Sequence, residues 1–399
     1  MDLVNQVRIF IENLIGIIFS VYFIIFLLCM ILIYHILAYF IKDKKYIGTI
    51  KKGKNTKETQ ISSLTEFPLV NIIIPAWNEG EIFRGCLKCI KNLTYPNLKV
   101  LINAGGSEKT IEIAESYKNF ENFKILYQKK GEGKIKAIND CLAHISEGLV
   151  YLIDADTYLD DEIFLKTIHP LINENNNVIV VRVKPHKSLK SNNLVKYLVI
   201  NRNIKFRGYI SNKIKYVSQN TGLKYEVIKK LKKFSENKLS DDGLAIGSDL
   251  MSQGFKIKLL DDQVESFNFP TKIKGYIKQN LRWIENSLFA SKRNRKVRIL
   301  KFIGLVCISF YFFLSFFLAF LNIYLFLFGL FLLLSLYLKR IRKMVFFKKT
   351  KENRKISFQF SFFLFMIYFI IVDLLINIIV FLEMIFFRKA YKKRKNLLD

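Results

Sequence analysis

Charge is missing from long stretches of this 399-residue chain, and acid is scarce in the rest. No Asp, Glu, Lys or Arg occurs in Leu14–Phe40 or in Phe302–Leu338, and Phe358–Phe387 carries only Asp373 and Glu383. Asp and Glu number 33 against 63 Lys and Arg, a net charge of +30, while 51% of residues are hydrophobic and 15% aromatic. That combination excludes a single soluble globule. A membrane-crossing helix needs about 20 apolar residues. The apolar stretches therefore predict about four spans: one in Leu14–Phe40, two in Phe302–Leu338 joined by a tight turn near Asn322, and one in Phe358–Phe387. The first is too long for a signal peptide and lacks the basic start and small-residue cleavage site of one. Cysteine is scarce as well, and the five are scattered, with Cys29 and Cys307 inside spans. Cys86 and Cys89 form one C-x-x-C, but Phe83, Cys86, Leu87 and Ile90 recur at helical spacing and read as the apolar face of a helix rather than half a zinc site. Nothing suggests disulfides, which fits a reducing cytosol. The soluble part has no nucleic-acid module and no basic stripe interleaved with aromatics. The surplus lysine is assigned to anionic headgroups of the bilayer beside the spans, and no nucleic-acid partner is expected.

Basic residues orient such a chain. Arg8 alone precedes the first span; Lys42, Lys44 and Lys45 follow it. The N-terminus is therefore expected outside and residues 41–300 in the cytoplasm, with the basic loop Lys339–Lys355 also inside. The basic tail Arg388–Lys395 breaks the rule if Phe358–Phe387 is one span, and keeps it if that stretch dips back near Asp373 and Asn377; one long helix is favoured. The expected organisation is an N-terminal membrane helix (1–45), a linker (46–66), a cytoplasmic α/β domain (67–270), an interfacial amphipathic segment (271–300) and a C-terminal membrane region (301–399). Leu194–Ile210 and Ile273–Phe289 mix apolar and basic residues. Each reads equally as a helix on the membrane surface or as an ordinary surface helix.

From residue 69 short apolar runs alternate with helical patterns. Leu69–Ile74, Leu98–Ile102, Phe123–Tyr127, Leu149–Ile153 and Val178–Val183 read as strands; the segments after the first three open helices, and the fourth ends in an aspartate pair. Alternation of this kind predicts a mostly parallel sheet covered on both faces. Such sheets bind ligands at the carboxyl ends of their strands, where the loops after Ile74, Ile102 and Ile153 fall.

The last of these loops is Asp154-Ala155-Asp156. Two carboxylates two residues apart at a strand end point the same way and repel, and burying either is unfavourable without a partner. A divalent cation removes the conflict, and hard oxygen ligands suit Mg²⁺ or Mn²⁺. Two solvated turn aspartates are the plain alternative.

In this order, IIIPAWNE at 72–79, Asp154-Ala155-Asp156, LSDDGLA at 239–245 and QNLRW at 279–283 resemble the inverting family 2 glycosyltransferases. The similarity runs over roughly residues 67–290 and is nearest to the membrane-embedded branch with cellulose, chitin and hyaluronan synthases. The resemblance implies a GT-A fold that binds a nucleotide-sugar donor. It implies that Asp156 coordinates the cation, and that Asp154 contacts the ribose or supports the metal site. It makes Asp242 the general base that deprotonates an acceptor hydroxyl. Gln279, Arg282 and Trp283 would close over the diphosphate and the acceptor entrance, since a planar guanidinium suits phosphate oxygens and an indole suits a sugar face. Pro75, Glu79, Asn103 and Lys134 fall on the donor side by the same likeness, and Gly222 and Asp241 on the acceptor side with Trp283. One departure stands out. Asn103-Ala104-Gly105-Gly106-Ser107 replaces the family's acid-rich turn after the second strand, so an amide takes the place of the carboxylate that reads the base. Plainer readings exist for two pieces: Asp241 and Asp242 as helix-start carboxylates, and Arg282 and Trp283 as interfacial anchors.

The leading expectation is sugar transfer with inversion at the cytoplasmic face, to a glycan or lipid-linked hydroxyl. Transfer to a polyprenyl phosphate is an alternative. So is a transporter or scaffold carrying a nucleotide-binding domain, although no repeat with matched intramembrane polar residues supports it. The sugar, the acceptor and the oligomeric state are not written in the sequence.

Overall fold

The computed structural model describes residues 3–18, 21–43, 64, 66–205, 217, 220–236, 242–289, 295–348 and 358–386. Most of the linker at 46–66, the tail after Phe386, and Asp241 lie outside these residues. The chain forms two compact units, one of residues 1–55 and 301–378 and one of residues 56–300 and 379–399.

The chain opens with helices α1 (Leu3–Ile18) and α2 (Val21–Ala38). The α/β unit then runs β1 (Val70–Trp77), α3 (Glu81–Lys91), β2 (Leu98–Gly105), α4 (Glu108–Glu115), β3 (Phe123–Gln128), α5 (Gly133–Leu142) and β4 (Leu149–Ile153). It continues with β5 (Thr157–Tyr158), α6 (Asp161–Ile172), β6 (Val178–Pro185), α7 (Asn193–Lys205), β7 (Asn220–Lys224), α8 (Tyr225–Leu231), α9 (Asp242–Ser252), β8 (Ile257–Ser266) and α10 (Ile273–Phe289). Helices α11 (Arg295–Leu318), α12 (Ile323–Lys348) and α13 (Phe360–Phe386) close the described chain.

The eight strands form one sheet in the order β3-β2-β1-β4-β7-β6-β8-β5. The first four are parallel, in register from Val70 with Leu98 and Leu149. All five residues of β4 are buried, as expected of a strand covered on both faces. Alternation divides the core. Ile72, Ile74, Val100, Ile102, Tyr151 and Ile153 pack with α3, α4 and α6 on one face. Ile73, Leu101, Val150 and Leu152 pack with α5, α8 and α9 on the other. This is the expected mostly parallel sheet, made mixed by the antiparallel β7 and β5. The five expected strands are present, several extended by a few residues. β7 and β8 were not expected, and β7 runs antiparallel to both β4 and β6.

Helices are punctuated locally. Ser107 caps α4, its Oγ accepting from Thr110 N at 3.3 Å, and Asp160 caps α6, accepting from Ile163 N at 2.8 Å. Leu194, Val195, Tyr197, Leu198 and Ile200 of α7 are buried, and Tyr197 meets Tyr276 of α10 edge-on at 6.4 Å. The described part of each ambiguous segment is therefore a helix packed on protein.

Among the described residues four helices are long and apolar enough to cross a membrane: Tyr22–Ile41, Lys296–Leu318, Ile323–Val345 and Phe360–Phe386. The first candidate span starts later than Leu14, because Leu14–Ile18 belong to the separate helix α1, whose opening turns carry Arg8 and Glu12. The turn between α11 and α12 falls at Asn322, whose Oδ1 accepts from Tyr324 N at 2.8 Å. Phe360–Phe386 is one unbroken helix. The expected loop Lys339–Lys355 is helical as far as Lys348, because α12 continues through its basic residues.

Candidate active site

Parallel pairing sends β1, β2 and β4 to the same edge: Trp77 and Gly105 are register partners, and β4 ends at Ile153, one residue beyond the pair Ile73–Leu152. Asn78 N donates to Gly105 O at 3.1 Å, drawing the first two loops together. Gly106 sits at φ +90°, and a Cβ there would lie 2.5 Å from Asn78 Oδ1, so this turn admits only glycine. Thr110 Oγ1 donates to Glu79 O at 2.6 Å and anchors the first loop to α4.

Asp154 is half-buried and ion-paired with Lys134 in the first turn of α5. Asp156 Oδ1 accepts from Ser266 Oγ at 3.2 Å and from Thr157 Oγ1 at 3.4 Å. Burial pushes the Asp156 carboxyl up to about 7, aided by the charges of Asp154 and then Glu79 and opposed by Lys134 and the Ser266 hydroxyl. Glu79 is raised for the same reasons: burial first, then Asp154, with Lys134 opposing. Burial disfavours the Lys134 ammonium, but Asp154, Asp242 and Asp156 more than offset it and its pKa rises. Four carboxyl groups, those of Glu79, Asp154, Asp156 and Asp242, thus lie in the field of Lys134, a surplus of acid over that lysine.

That surplus fits a hard cation. Among the described residues no three His, Cys, Asp or Glu side chains converge to hold a metal ion by themselves. An ion here would take one or two carboxylates from the protein and the rest of its oxygens from a phosphate ligand, the usual habit of Mg²⁺.

The remaining expected residues divide. Pro75 and Asn103 are register partners on β1 and β2, beside the start of α5. Asn103 is fully buried; its Nδ2 donates to Ala137 O at 3.2 Å and its Oδ1 has no partner. The pairing leaves an acceptor, the function a carboxylate would also serve. Asp242 opens α9 within the field of Lys134. Gln279 Nε2 donates to Asn268 Oδ1 at 2.9 Å, and Asn268 N donates to Ser266 Oγ at 3.0 Å. QNLRW is therefore tied to Asp156 through two residues. Arg282 and Trp283 follow Gln279 at i+3 and i+4 and share its side of α10; Arg282 is exposed and Trp283 half-buried. Gly222 is not drawn to this edge. It pairs with Tyr151 and Ile179 inside the sheet, and a Cβ would meet Leu171 Cδ1 of α6 at 2.8 Å. Its place is explained by packing. Ser266 and Asn268 escaped sequence reasoning because nothing in SFNFP marks them; only the antiparallel pairing of Thr157 with Ser266 brings them to the aspartate.

An α/β sheet with a cluster of acidic residues at the carboxyl edge of its strands is the class these features define. Residues 71–231 match the model of Glycosyl transferase family 2; the match ends before Asp242 and α10. Poly-beta-1,6-N-acetyl-D-glucosamine synthase of Staphylococcus epidermidis is 31% identical over 94 residues, 23% of each chain. The chain thus spans about a quarter of that relative's length. A dolichyl N-acetyl-alpha-D-glucosaminyl phosphate 3-beta-D-2,3-diacetamido-2,3-dideoxy-beta-D-glucuronosyltransferase of Methanococcus voltae is 23% identical over 235 residues, 54% of this chain and 71% of the relative. Among solved structures, a mannosyltransferase of Pyrobaculum calidifontis in complex with GDP-Man and Mn²⁺ superposes with a TM-score of 0.49 at 13% identity, covering 89% of this chain and 97% of that one.

Proposed function

We propose that this chain is a membrane-bound inverting glycosyltransferase that moves a sugar from a nucleotide-diphospho-sugar to a glycan or lipid-linked hydroxyl at the cytoplasmic face. The observation that carries the reading is the carboxylate-rich cluster around Asp156 at the carboxyl edge of the sheet.

A Mg²⁺ or Mn²⁺ ion held by Asp156, with Asp154 in support, would neutralise charge gathering on the departing diphosphate. Pro75 and Glu79 line the nucleoside side, and Asn103, the register partner of Pro75, backs them with its Oδ1 buried. Lys134 holds Asp154 and balances part of the acidic field. Asp242 takes the proton of the acceptor hydroxyl as its oxygen bonds to the anomeric carbon and the bond to the diphosphate breaks on the opposite side. A positioned base contributes about 10²–10⁴-fold. Arg282 supplies a permanent charge to the diphosphate, and Trp283 an indole face to the acceptor sugar. Asp241 stands next to the base on the acceptor side.

The name of the Methanococcus voltae relative describes transfer to a dolichyl-linked sugar, and the long overlap with it favours a lipid-linked hydroxyl. Purified protein in detergent, given labelled nucleotide sugars with Mn²⁺ and membrane lipid extract, is expected to yield organic-soluble label. Label released only as free sugar, equally with Asp242→Asn, would contradict the assignment of the base. Label on a water-soluble polymer would replace the lipid acceptor with a growing glycan.

A further inference from the structure

The corner between β8 and α10 does more than connect them. Ser266 is fully buried, so no water replaces its hydroxyl. Its Oγ accepts from Asn268 N at 3.0 Å, which directs its one hydrogen to Asp156 Oδ1 at 3.2 Å. Asn268 Oδ1 in turn accepts from Gln279 Nε2 at 2.9 Å. Phe267 N also donates to Asp156 O at 2.9 Å, so this corner is bound to the aspartate by both main chain and side chain.

We propose that Ser266 and Asn268 are positioning residues through which occupation of Asp156 is transmitted to the Gln279-Arg282-Trp283 side of α10. The proposal rests on the reading of Asp156 as the donor-side carboxylate. A cation that claims Asp156 fixes it as the ionised carboxylate, the form that the Ser266 hydroxyl bonds through Oδ1 and supports. Any turn of that hydroxyl passes to Asn268, because the Asn268 N–H is fixed on the same oxygen. Asn268 then moves the partner of Gln279, and α10 follows as a rigid rod. Donor binding thereby sets the attitude of the helix that faces the acceptor. Ser266 serves Asp156 directly, whereas the Asn268 side chain bonds Gln279 of α10, so the two make separable predictions.

Trp77 and Trp283 are the only tryptophans in the chain, so a Trp77→Phe parent reports Trp283 alone. UDP and GDP, each with Mn²⁺, are titrated into this parent, with affinity read by calorimetry and α10 read by Trp283 emission. Removing a hydrogen bond to a charged group is worth about tenfold or more. Ser266→Ala is therefore expected to weaken diphosphate binding about tenfold. Asn268→Ala is expected to keep affinity within about threefold, lose most of the emission change, and lower kcat with donor KM unchanged. Asn268→Asp retains the acceptor for Gln279 and should restore the emission change. If Ser266→Ala does not fold, the two Asn268 variants decide. A full emission change in Asn268→Ala, or a loss that Asn268→Asp does not restore, overturns the relay while leaving the transferase reading intact. A parent that binds neither diphosphate overturns both.

Discussion

Asp156 and Asp242 carry different duties, and substitution should separate them. Asp156→Asn is expected to lose both transfer and Mn²⁺-dependent nucleotide binding. Asp242→Asn is expected to lower transfer by about 10²–10⁴-fold with nucleotide binding retained, as measured by equilibrium binding beside turnover. The pH dependence follows from burial. The Asp156 carboxyl is pushed from an ordinary 3.8 up to about 7, so the metal-free fold favours its protonated form. The stability this contributes is complete below the ordinary value and lost as pH rises through about 7. A cation competes with that proton. Mn²⁺ affinity should thus climb by up to about tenfold per pH unit below this value and level off above it, read by calorimetry in the presence of UDP or GDP.

At the scale of elements, Gly222 supplies a test that distinguishes packing from chemistry. Gly222→Val must displace Leu171 and Thr167 of α6, and overpacking of this kind costs about 1–3 kcal/mol. The expected result is a lower thermal midpoint with turnover per folded molecule kept. The elements differed in how legible they were. β1 to β4 could be read because strands buried on both faces are continuous apolar runs, and the aspartate pair could be read because acid at the end of such a run needs a reason. β7 was hidden: Asn220-Thr221-Gly222 is polar and flexible in composition, and only pairing with β4 and β6 makes it a strand. β8 was hidden because Leu259-Leu260 followed by Asp261-Asp262-Gln263 breaks the alternation that marks a strand. Ser266 and Asn268 depend on contacts across more than a hundred residues, which no local pattern encodes. Gly222 was drawn toward the acceptor by likeness alone, and its neighbours explain it without that duty.

Over the whole molecule, the proposal of a bilayer protein rests on four described helices long and apolar enough to cross a membrane and on a net charge of +30. Asp373, the acid that interrupts the last apolar stretch, pairs with Arg340 at 2.7 Å within the helical unit. Removing one partner of such a pair leaves an uncompensated charge, whereas replacing both by apolar residues relieves it. Arg340→Met and Asp373→Leu are each expected to lower the thermal midpoint in detergent, and the double variant to recover it. The sidedness proposed from basic residues predicts that protease cleaves the α/β unit in inverted vesicles and spares it in right-side-out ones. The central claim is that Asp156 and a divalent ion hold the nucleotide of a sugar donor, and release of nucleoside diphosphate from labelled nucleotide sugars by purified protein tests it most directly. The account predicts release with Mn²⁺ or Mg²⁺ that stops on exhaustive chelation, returns on metal addition, and is absent in Asp156→Asn; release that persists undiminished under chelation and in Asp156→Asn would contradict it.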